Sequence, residues 1–342
     1  MLFTWLLVTT QQWHGQHSHD TVDGPQKFHT GFIPRVGGIA MYLALVVASL
    51  CSPQPMAALL VPMLFAGLPA FAAGLAEDLT KKVSALKRLL ATMLSGLLGW
   101  WLTGYHLTHL DIWGVDSLLA HLHISVFLTV IAAAGVANAI NMIDGFNGLA
   151  TGTMILLFFA FGLIALEAGD VPLSQLCLTM IVVLVGFMVF NFPLGKIFMG
   201  DGGAYLMGFF LAWIAIMLPM RNPEVSVWAP LLVCAYPINE ALFTMVRRAI
   251  VKVSIGQPDN DHLHSLFKKK VIRPYFSYLP QYLRSSLVSP FCWGYAALVS
   301  GIAIWEYKRT DILVVAWFGS FIVYAIIYML LKYDPASALK RQ

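Results

Sequence analysis

The sequence predicts an all-α membrane protein, a polytopic bundle of about ten transmembrane helices whose polar residues gather at one face. Three observations lead to this fold class. The 342 residues are 59% hydrophobic and only 11% charged, with a mean hydropathy of +0.75. A soluble domain carries about 25% charged residues, and a disordered chain needs low hydrophobicity and high charge. Because the apolar residues also come in long blocks, both of those classes are excluded.

Ten apolar blocks can form spanning helices, each of which needs roughly 17–25 mostly apolar residues, or fewer where the core is short. In chain order they are 37–51, 56–76, 88–105, 124–143, 148–166, 174–192, 204–218, 227–246, 289–305 and 312–331. We therefore expect one transmembrane domain over 37–331, an N-terminal segment over 1–36 and a cytoplasmic tail over 332–342. Residues 1–8 are apolar but too few to span, so we expect the helix before Asp23 to be truncated or absent.

The positive charges indicate which way the bundle is oriented. If the ten spans alternate, one side carries only three of the 21 Lys and Arg residues, namely Arg221, Lys308 and Arg309. The other 18 fall on the opposite side, which includes the long loop 247–288. The positive-inside rule makes that side cytoplasmic.

Acidic, amide and histidine side chains collect on the predicted cytoplasmic face. They are Glu77, Asp78, Asn138, Asn141, Asp144, Asn191, Asp201, His262 and His264. Asp78, Asp144 and Asn191 lie where predicted helices end. A helix C-terminus already carries about half a negative charge, so a carboxylate there is unfavourable without a compensating cation.

The neighbouring charges indicate what this face binds. Mg²⁺ prefers oxygen ligands and usually binds through one or two carboxylates together with substrate phosphates. Lys27, Arg35 and Lys81 lie in the segments around the acids and suit a polyanion. Carboxylates, a divalent cation and surrounding basic residues are typical of a phosphoryl-transfer site.

From the residues alone, ordinary structural interpretations stay open. Glu77 and Asp78 could belong to a solvated loop, and Asp201 could simply cap the next helix. Asn138 and Asn141 could join helices through hydrogen bonds. Asp144 is harder to explain in this way, because an acid in an apolar setting at the wrong end of a helix is by default a functional candidate.

Three features near the long loop also have alternatives. His262 and His264, taken alone, would more often be surface residues than a site. The run Lys268–Lys270 fits a face for anionic lipid headgroups. Glu240 lies within the apolar block 227–246 and should face the bundle interior, either as a structural hydrogen-bonding residue or as part of the site lining.

Several sequence motifs follow one another over residues 23–331: Asp23-Gly24-Pro25-Gln26-Lys27-Phe28-His29, Ile33-Pro34-Arg35-Val36-Gly37-Gly38, Glu77-Asp78-Leu79-Thr80-Lys81, the run from Asn138 to Ala150, Phe198-Met199-Gly200-Asp201 and His262-Leu263-His264. Read in this order, they resemble the motifs of the polyprenyl-phosphate N-acetylhexosamine-1-phosphate transferase superfamily, glycosyltransferase family 4. Three positions depart from the family pattern. Glu77 replaces the first of two aspartates, Asn147 stands where many members have Asp, and Ser265 replaces the last His of the histidine motif.

The resemblance implies transfer of a HexNAc-1-phosphate from a UDP-N-acetylhexosamine to undecaprenyl phosphate, with release of UMP. The site would lie on the cytoplasmic face of the bacterial inner membrane, and the reaction would be the first membrane step of O-antigen or other cell-surface polysaccharide synthesis. The implied cofactor is Mg²⁺, with Mn²⁺ as the alternative ion. The implied partners are the two substrates and the lipid bilayer; a homodimer is the candidate assembly, and no nucleic-acid partner is expected.

The resemblance also implies roles for individual residues. Asp201 and Asp144 are the expected metal ligands, and Glu77 or Asp78 would bind or deprotonate the lipid phosphate. The expected substrate-binding residues are Lys27, Arg35, Lys81, Asn141, Asn147, Asn191, His262 and His264. The choice of amino sugar, and of a direct route or one through an aspartyl-phosphate, stays open.

Two functions of other classes also stay open. One is a catalytically inert lipid-binding or assembly partner, because three motif positions are altered. The other is a secondary transporter, whose site should lie near the bilayer midplane rather than at one boundary.

Overall fold

A computed structural model of the chain describes residues 1–13, 33–252 and 261–333. The helices are α1 Leu2–Thr9, α2 Gly37–Cys51, α3 Gln54–Thr80, α4 Ala85–Thr103, α5 Val115–Leu119, α6 Leu122–Ile143, α7 Leu149–Glu167, α8 Val171–Asn191, α9 Gly200–Arg221, α10 Trp228–Val233, α11 Ala235–Val251, α12 Leu263–Phe267, α13 Arg273–Tyr275, α14 Gln281–Ser286, α15 Val288–Glu306 and α16 Thr310–Lys332. A short π-helix, Lys268–Ile272, joins α12 to α13. The predicted all-α fold class is confirmed.

All ten apolar blocks are helical, but they do not all meet the same membrane-span criterion. Within the described residues, seven helical segments are long and apolar enough to cross a bilayer. They are α3, α6, α7, α8, α9, the stretch Gln281–Glu306 and α16. The helix α2 is apolar but shorter, and the block 227–246 is divided between α10 and α11 at Cys234. A multi-pass membrane protein is thus established, while the count of ten spans stays a prediction.

The structure adds detail to one predicted helix boundary and to one predicted loop, and both affect the site. The helix α3 runs on to Thr80 instead of ending near residue 76, so Glu77 and Asp78 lie in its last turn. A boundary drawn from hydropathy stops at the first charged pair, although Asp78 is buried. The loop 247–288 contains α12, α13, α14 and the π-helix, and so it is largely structured.

The centre of the bundle is α9, which packs against α2, α3 and α6. Nearly every residue of α9 is buried. Its first turn lies against α3 at Gly74, where an added Cβ would come within 2.6 Å of the Asp201 backbone. Gly200 has a φ of +73°, which glycine adopts without strain. The glycines at this contact therefore let the first turn of α9 pack closely against α3.

The segment before α2 is tied to the segment before α9. Phe198 N donates to Pro34 O at 2.9 Å, and Gly38 N donates to Met199 O at 3.0 Å. These backbone hydrogen bonds hold Arg35, which lies between them in sequence, beside the first turn of α9.

Candidate active site

Asp78 links the end of α3 to the beginning of α9. It is 1% exposed, and its Oδ1 and Oδ2 accept hydrogen bonds from the amides of Asp201 at 3.0 Å and Gly202 at 2.8 Å. A carboxylate at a helix N-terminus pairs with otherwise unsatisfied amides and interacts favourably with the helix dipole. The unfavourable position of Asp78 at the C-terminus of α3 is therefore partly offset by α9, and this contact fixes the position of Asp201.

Two arginines converge on Asp201. Arg35 Nη2 lies 3.1 Å from Asp201 Oδ1, and Arg35 Nε lies 3.4 Å from Asp78 Oδ1. Arg88 Nη1 contacts the other carboxylate oxygen, Oδ2, of Asp201. The Asp201 carboxylate is thus held between two guanidinium groups at the end of the bundle.

Arg88 was not among the residues predicted for the site. It lies in the first turn of α4, and its guanidinium is 5.8 Å from the centroid of the Tyr205 ring on α9. A basic side chain at a helix N-terminus is electrostatically unfavourable. That placement is the sequence signal that could have identified it.

Asp144 directly follows the last residue of α6 and is half-buried. Burial raises the pKa of Asp144 to about 7; the charge of Arg35 lowers that pKa and the charge of Asp78 raises it. Since both charges act on Asp144, it lies near Arg35 and Asp78, and these two in turn contact Asp201. The structure thus places the three aspartates in one region around Arg35, while their metal-binding and catalytic roles stay predictions.

Two predicted amide residues organise the loops beside Asp144. Asn191 Oδ1 accepts from Gly148 N at 2.7 Å, and its Nδ2 donates to Ile197 O at 2.9 Å. Asn147 Nδ2 donates to Pro193 O at 3.1 Å. These hydrogen bonds join the loop after α6 to the loop before α9, so both amides are well placed to shape a ligand pocket; their substrate contacts stay predictions.

Asn141 faces α9 rather than a loop. Its side chain lies near Tyr205, whose hydroxyl donates to Asn138 Oδ1 at 3.2 Å. The helix-joining role considered for these asparagines is thus present at Asn138, while the substrate contact of Asn141 stays a prediction.

The histidine motif enters the bundle from the long loop. His262 Nδ1 lies 3.0 Å from Glu240 Oε1, and His264 Nδ1 lies 3.6 Å from Glu240 Oε2. The two rings stack with centroids 5.2 Å apart. His264 also packs edge-on against Phe146, at 5.4 Å between centroids. Both histidines are buried, and Phe146 connects them to the loop after Asp144.

The remaining predicted residues have varied surroundings. Glu77 is half-buried, and its Oε2 accepts from Val83 N at 2.7 Å. Lys81 caps the C-terminus of α3 with a φ of 57° and interacts electrostatically with Asp78. Lys27 lies outside the described residues, so its place in the site stays a prediction.

The donor set of this site fits a hard cation shared with a ligand rather than one held by protein alone. In the described parts of the chain, no group of three or more His, Cys, Asp or Glu side chains is arranged as a metal site. One or two carboxylates completed by substrate phosphates is the usual arrangement for Mg²⁺. Asp144, as an acid whose charged form is disfavoured by burial, has the chemistry that a cation would stabilise.

The fold and this site define a class: a multi-pass helical membrane protein with carboxylates, arginines and histidines at one end of its bundle. Comparison with known proteins gives the family. The profile of Glycosyl transferase family 4 matches residues 60–219. The chain is 30% identical over 265 residues to the undecaprenyl-phosphate alpha-N-acetylglucosaminyl 1-phosphate transferase of Escherichia coli (strain K12), covering 72% of this chain and 69% of that protein.

Two further relatives agree. A probable undecaprenyl-phosphate N-acetylglucosaminyl 1-phosphate transferase of Bacillus subtilis (strain 168) is 29% identical over 253 residues, covering 71% of this chain and 68% of its own length. The Yersinia pestis undecaprenyl-phosphate alpha-N-acetylglucosaminyl 1-phosphate transferase is 29% identical over 262 residues, covering 72% and 69%. The chain belongs to glycosyl transferase family 4, within the polyprenyl-phosphate N-acetylhexosamine-1-phosphate transferases, as the motifs indicated.

Proposed function

We propose that the protein transfers a HexNAc-1-phosphate from a UDP-N-acetylhexosamine to undecaprenyl phosphate, giving undecaprenyl-diphosphate-HexNAc and UMP. The observation that carries this proposal is the convergence of Asp78, Asp144, Asp201 and Arg35 at one end of a membrane bundle. One substrate is soluble and the other has a long lipid tail, so only a site at a membrane boundary can meet both. The names of the relatives support the lipid acceptor.

The reaction exchanges one phosphorus–oxygen bond for another. An oxygen of the lipid phosphate forms a bond to the β-phosphorus of the donor, and the bond from that phosphorus to the bridging oxygen of UMP breaks. UMP leaves with the electron pair of the broken bond. The same net exchange results from a direct displacement or from two steps through an aspartyl-phosphate.

The basic side chains of the site have the task of binding anions. Arg35 and Arg88 already lie against Asp201 and can turn part of their donor set to phosphate oxygens. Lys81 extends this positive surface toward α3, and the His264 ring adds a polar group on the side of the long loop. Fixed donors around transferring phosphoryl groups stabilise the charge that develops in the transition state.

The acids differ in how much of their bonding capacity the protein uses. Asp78 accepts from two backbone amides, so its main task is to position Asp201. Glu77 is half-buried at the same helix end and is the better placed acid for the lipid phosphate.

Asp144 and Asp201 are the residues that would hold Mg²⁺, with Mn²⁺ as the alternative. Bound there, the ion would neutralise charge on the donor pyrophosphate. At Asp201 it would share the carboxylate with Arg35 and Arg88. At Asp144 it would offset the free-energy cost of burying the charged carboxylate, which is the cost that raises the pKa of this acid.

The proposed setting is the cytoplasmic face of a bacterial inner membrane. The distribution of Lys and Arg supports this orientation. The proposed step begins O-antigen or another cell-surface polysaccharide, and a homodimer is the proposed assembly.

The test uses membranes that contain the protein, undecaprenyl phosphate and a panel of radiolabelled UDP-HexNAc donors. We expect labelled lipid that requires Mg²⁺ and is lost in Asp144→Ala and Asp201→Ala. Asp311→Asn, an exposed acid at the start of α16, is the matched control and should keep full activity. Label in the vesicle lumen would instead indicate a transporter, and the absence of both signals would indicate an inert partner.

A further inference from the structure

Glu240 is a fully buried acid that the proposed reaction does not use. It lies on α11 with 0% exposure. Its Oε1 is 3.0 Å from His262 Nδ1 and accepts from Leu263 N at 3.2 Å. Its Oε2 is 3.6 Å from His264 Nδ1, which is ion-pair range. One carboxylate thus faces the same ring nitrogen of two histidines.

A buried carboxylate needs a compensating partner, because an unpaired charge in a low-dielectric interior is very costly. The titratable groups that interact with Glu240 are His262, His264, Tyr236, Cys292 and Tyr324. Among these described residues only the histidines carry ring N–H donors. The Glu240 carboxylate therefore faces N–H groups of the histidine rings and of the Leu263 backbone.

The same contact decides which nitrogen of each ring carries hydrogen. A carboxylate only accepts, so an imidazole that bonds to it must present N–H at Nδ1. The other nitrogen, Nε2, is then left for a further partner. For His264 that nitrogen lies 3.7 Å from the position that a Cβ on Gly145 would occupy, beside the loop that follows Asp144.

We propose that Glu240 is a positioning residue that holds hydrogen at Nδ1 of His262 and His264. By doing so it leaves Nε2 of His264 as a lone-pair acceptor facing the loop after Asp144, where it accepts a hydrogen bond from a ligand hydroxyl group. The identity of that ligand as a nucleotide rests on the proposed function; the geometry of the histidine pair does not. A carboxylate behind a ligand-binding histidine fixes the ring in this manner at many metal sites.

The experiment reads the histidine rings directly. Long-range ¹H–¹⁵N spectra of the full chain in detergent, labelled with ¹⁵N-histidine, report which ring nitrogen carries hydrogen; His262→Asn and His264→Asn assign the signals. In the parent protein we expect Nδ1–H on both rings. In Glu240→Gln the amide can donate as well as accept, so at least one ring should change to Nε2–H. Glu167→Gln, an exposed acid at the end of α7, is the matched control and should change neither.

Binding supplies the second readout. UMP is the probe, and we expect its affinity to fall about tenfold in Glu240→Gln, because a ring with hydrogen on Nε2 no longer accepts from the ligand and about one hydrogen bond is lost. The affinity of Glu167→Gln should be unchanged. Glu240→Asp keeps the charge on a shorter side chain and should restore Nδ1–H on one ring. If Glu240→Gln does not fold, Glu240→Asp replaces it as the test, because one ring should still lose hydrogen at Nδ1.

Three results distinguish the positioning role of Glu240 from the proposed binding of a nucleotide. Ring tautomers that stay as in the parent protein in Glu240→Gln would overturn the positioning role. A tautomer change without any change in UMP affinity would overturn the link to ligand binding. If the parent protein itself does not bind UMP, the proposed nucleotide ligand is wrong, and the spectra still decide what Glu240 does to the rings.

Discussion

The two ends of the bundle use the same residue types, arginine and aspartate, in opposite ways. At the end away from the candidate site, Arg221 donates to both oxygens of Asp170, at 2.6 and 2.8 Å, and to the Tyr105 hydroxyl at 2.8 Å. Asn222 Nδ2 lies 3.4 Å from the same carboxylate. We call these four residues the closed end; its bidentate pair is a strong and geometrically specific contact. We call Asp78, Asp144 and Asp201 with their arginines the acidic end.

Helix polarity explains much of the contrast. Asp170 precedes α8 and accepts from Leu173 N at 3.2 Å, where the helix dipole favours an anion. Asp144 follows the C-terminus of α6, where the dipole opposes one. Burial acts to raise the pKa of Asp170, but hydrogen bonds and charge from Arg221 outweigh it, and the pKa lies below its usual value. For Asp144 burial prevails, and its pKa is about 7. The charged form of Asp170 therefore stabilises the fold, whereas the charged form of Asp144 costs folding free energy. Such an unfavourable charge is typical of functional acids.

The largest expected effect is on activity at the acidic end. Asp144→Asn should lower kcat/KM by at least about a thousandfold, roughly 4 kcal/mol, because a neutral amide cannot hold a cation against the donor phosphates. Labelled-lipid formation measures this effect. The same change should leave the midpoint of SDS-induced unfolding unchanged or raised, because it removes an unfavourable buried charge. Near-full activity in this variant would remove Asp144 from the catalytic machinery.

The second effect is on stability at the closed end. Asp170→Asn should lower the free energy of unfolding by about 3 kcal/mol, because it leaves the partly buried Arg221 guanidinium without its bidentate partner. SDS-induced unfolding measures the loss, and activity per folded molecule should be unchanged. Asn222→Ala removes the weaker contact to Asp170 and a neutral hydrogen bond to Leu218 O but no charge; it is the matched control and should cost less. If Asp170→Asn instead abolished turnover in folded protein, the two ends would not differ as stated.

How much of this contrast could be predicted depends on what a position requires. Asp144 could be recognised because an acid at the end of an apolar block is unusual in itself. The pair formed by Asp170 and Arg221 could not, because two residues in different helices come together only through tertiary packing. Arg88 differs from that pair: its unfavourable place in the first turn of α4 was a usable signal, although its partner, Asp201, lies far away in sequence on α9.

The histidine motif marks the limit of reasoning from the sequence. His262 and His264 could be noticed in a basic loop, and Glu240 could be noticed as an acid in an apolar block. Their contact depends on how the loop re-enters the bundle, which hydropathy does not report. The helices themselves could be predicted well, because lipid requires that backbone polar groups be satisfied within each segment.

The third effect is a difference between the two ends in how their contribution to stability changes with pH. In the absence of divalent cations, the folded pKa of Asp144, about 7, lies above its unfolded value near 3.8. The folded protein then binds more protons across that window, so stability falls as pH rises from about 4 to 7. Asp170 has a lowered pKa, so its contribution is present above about pH 4 and is lost on further acidification. Each slope is at most about 1.4 kcal/mol per pH unit.

Single substitutions assign the two slopes. Asp144→Asn should make the decline between about pH 4 and 7 shallower, and Asp170→Asn should flatten only the acid limb below about pH 4. Unfolding midpoints measured across this pH range report both. Added Mg²⁺ should stabilise the parent protein more at pH 8 than at pH 6, because protons compete for Asp144 at the lower pH. The assignment fails if Asp144→Asn leaves the first slope intact.

The smallest effect tests how far the acidic end extends into the lysine run. Lys268 Nζ donates to Ser285 Oγ at 2.8 Å and lies 4.9 Å from the centroid of the Phe146 ring. Burial, together with the charge of Arg284, lowers the pKa of Lys268 to about 7. Like Asp144, this side chain is charged at a cost that an oppositely charged ligand would repay.

We therefore expect Lys268→Met to raise the KM for the UDP-sugar about five- to tenfold, roughly 1 kcal/mol, with kcat changed less. Lys269→Met is the matched control: its side chain is exposed, so the change should leave KM unaltered and weaken only association with anionic lipid. A steady-state titration of the donor for each variant distinguishes the two. If both variants keep the KM of the parent protein, the whole lysine run serves the lipid surface, as its sequence alone indicates. Lys268 would then play no part in binding the UDP-sugar. A raised KM in Lys268→Met alone would show that one lysine of the three has turned inward to the site.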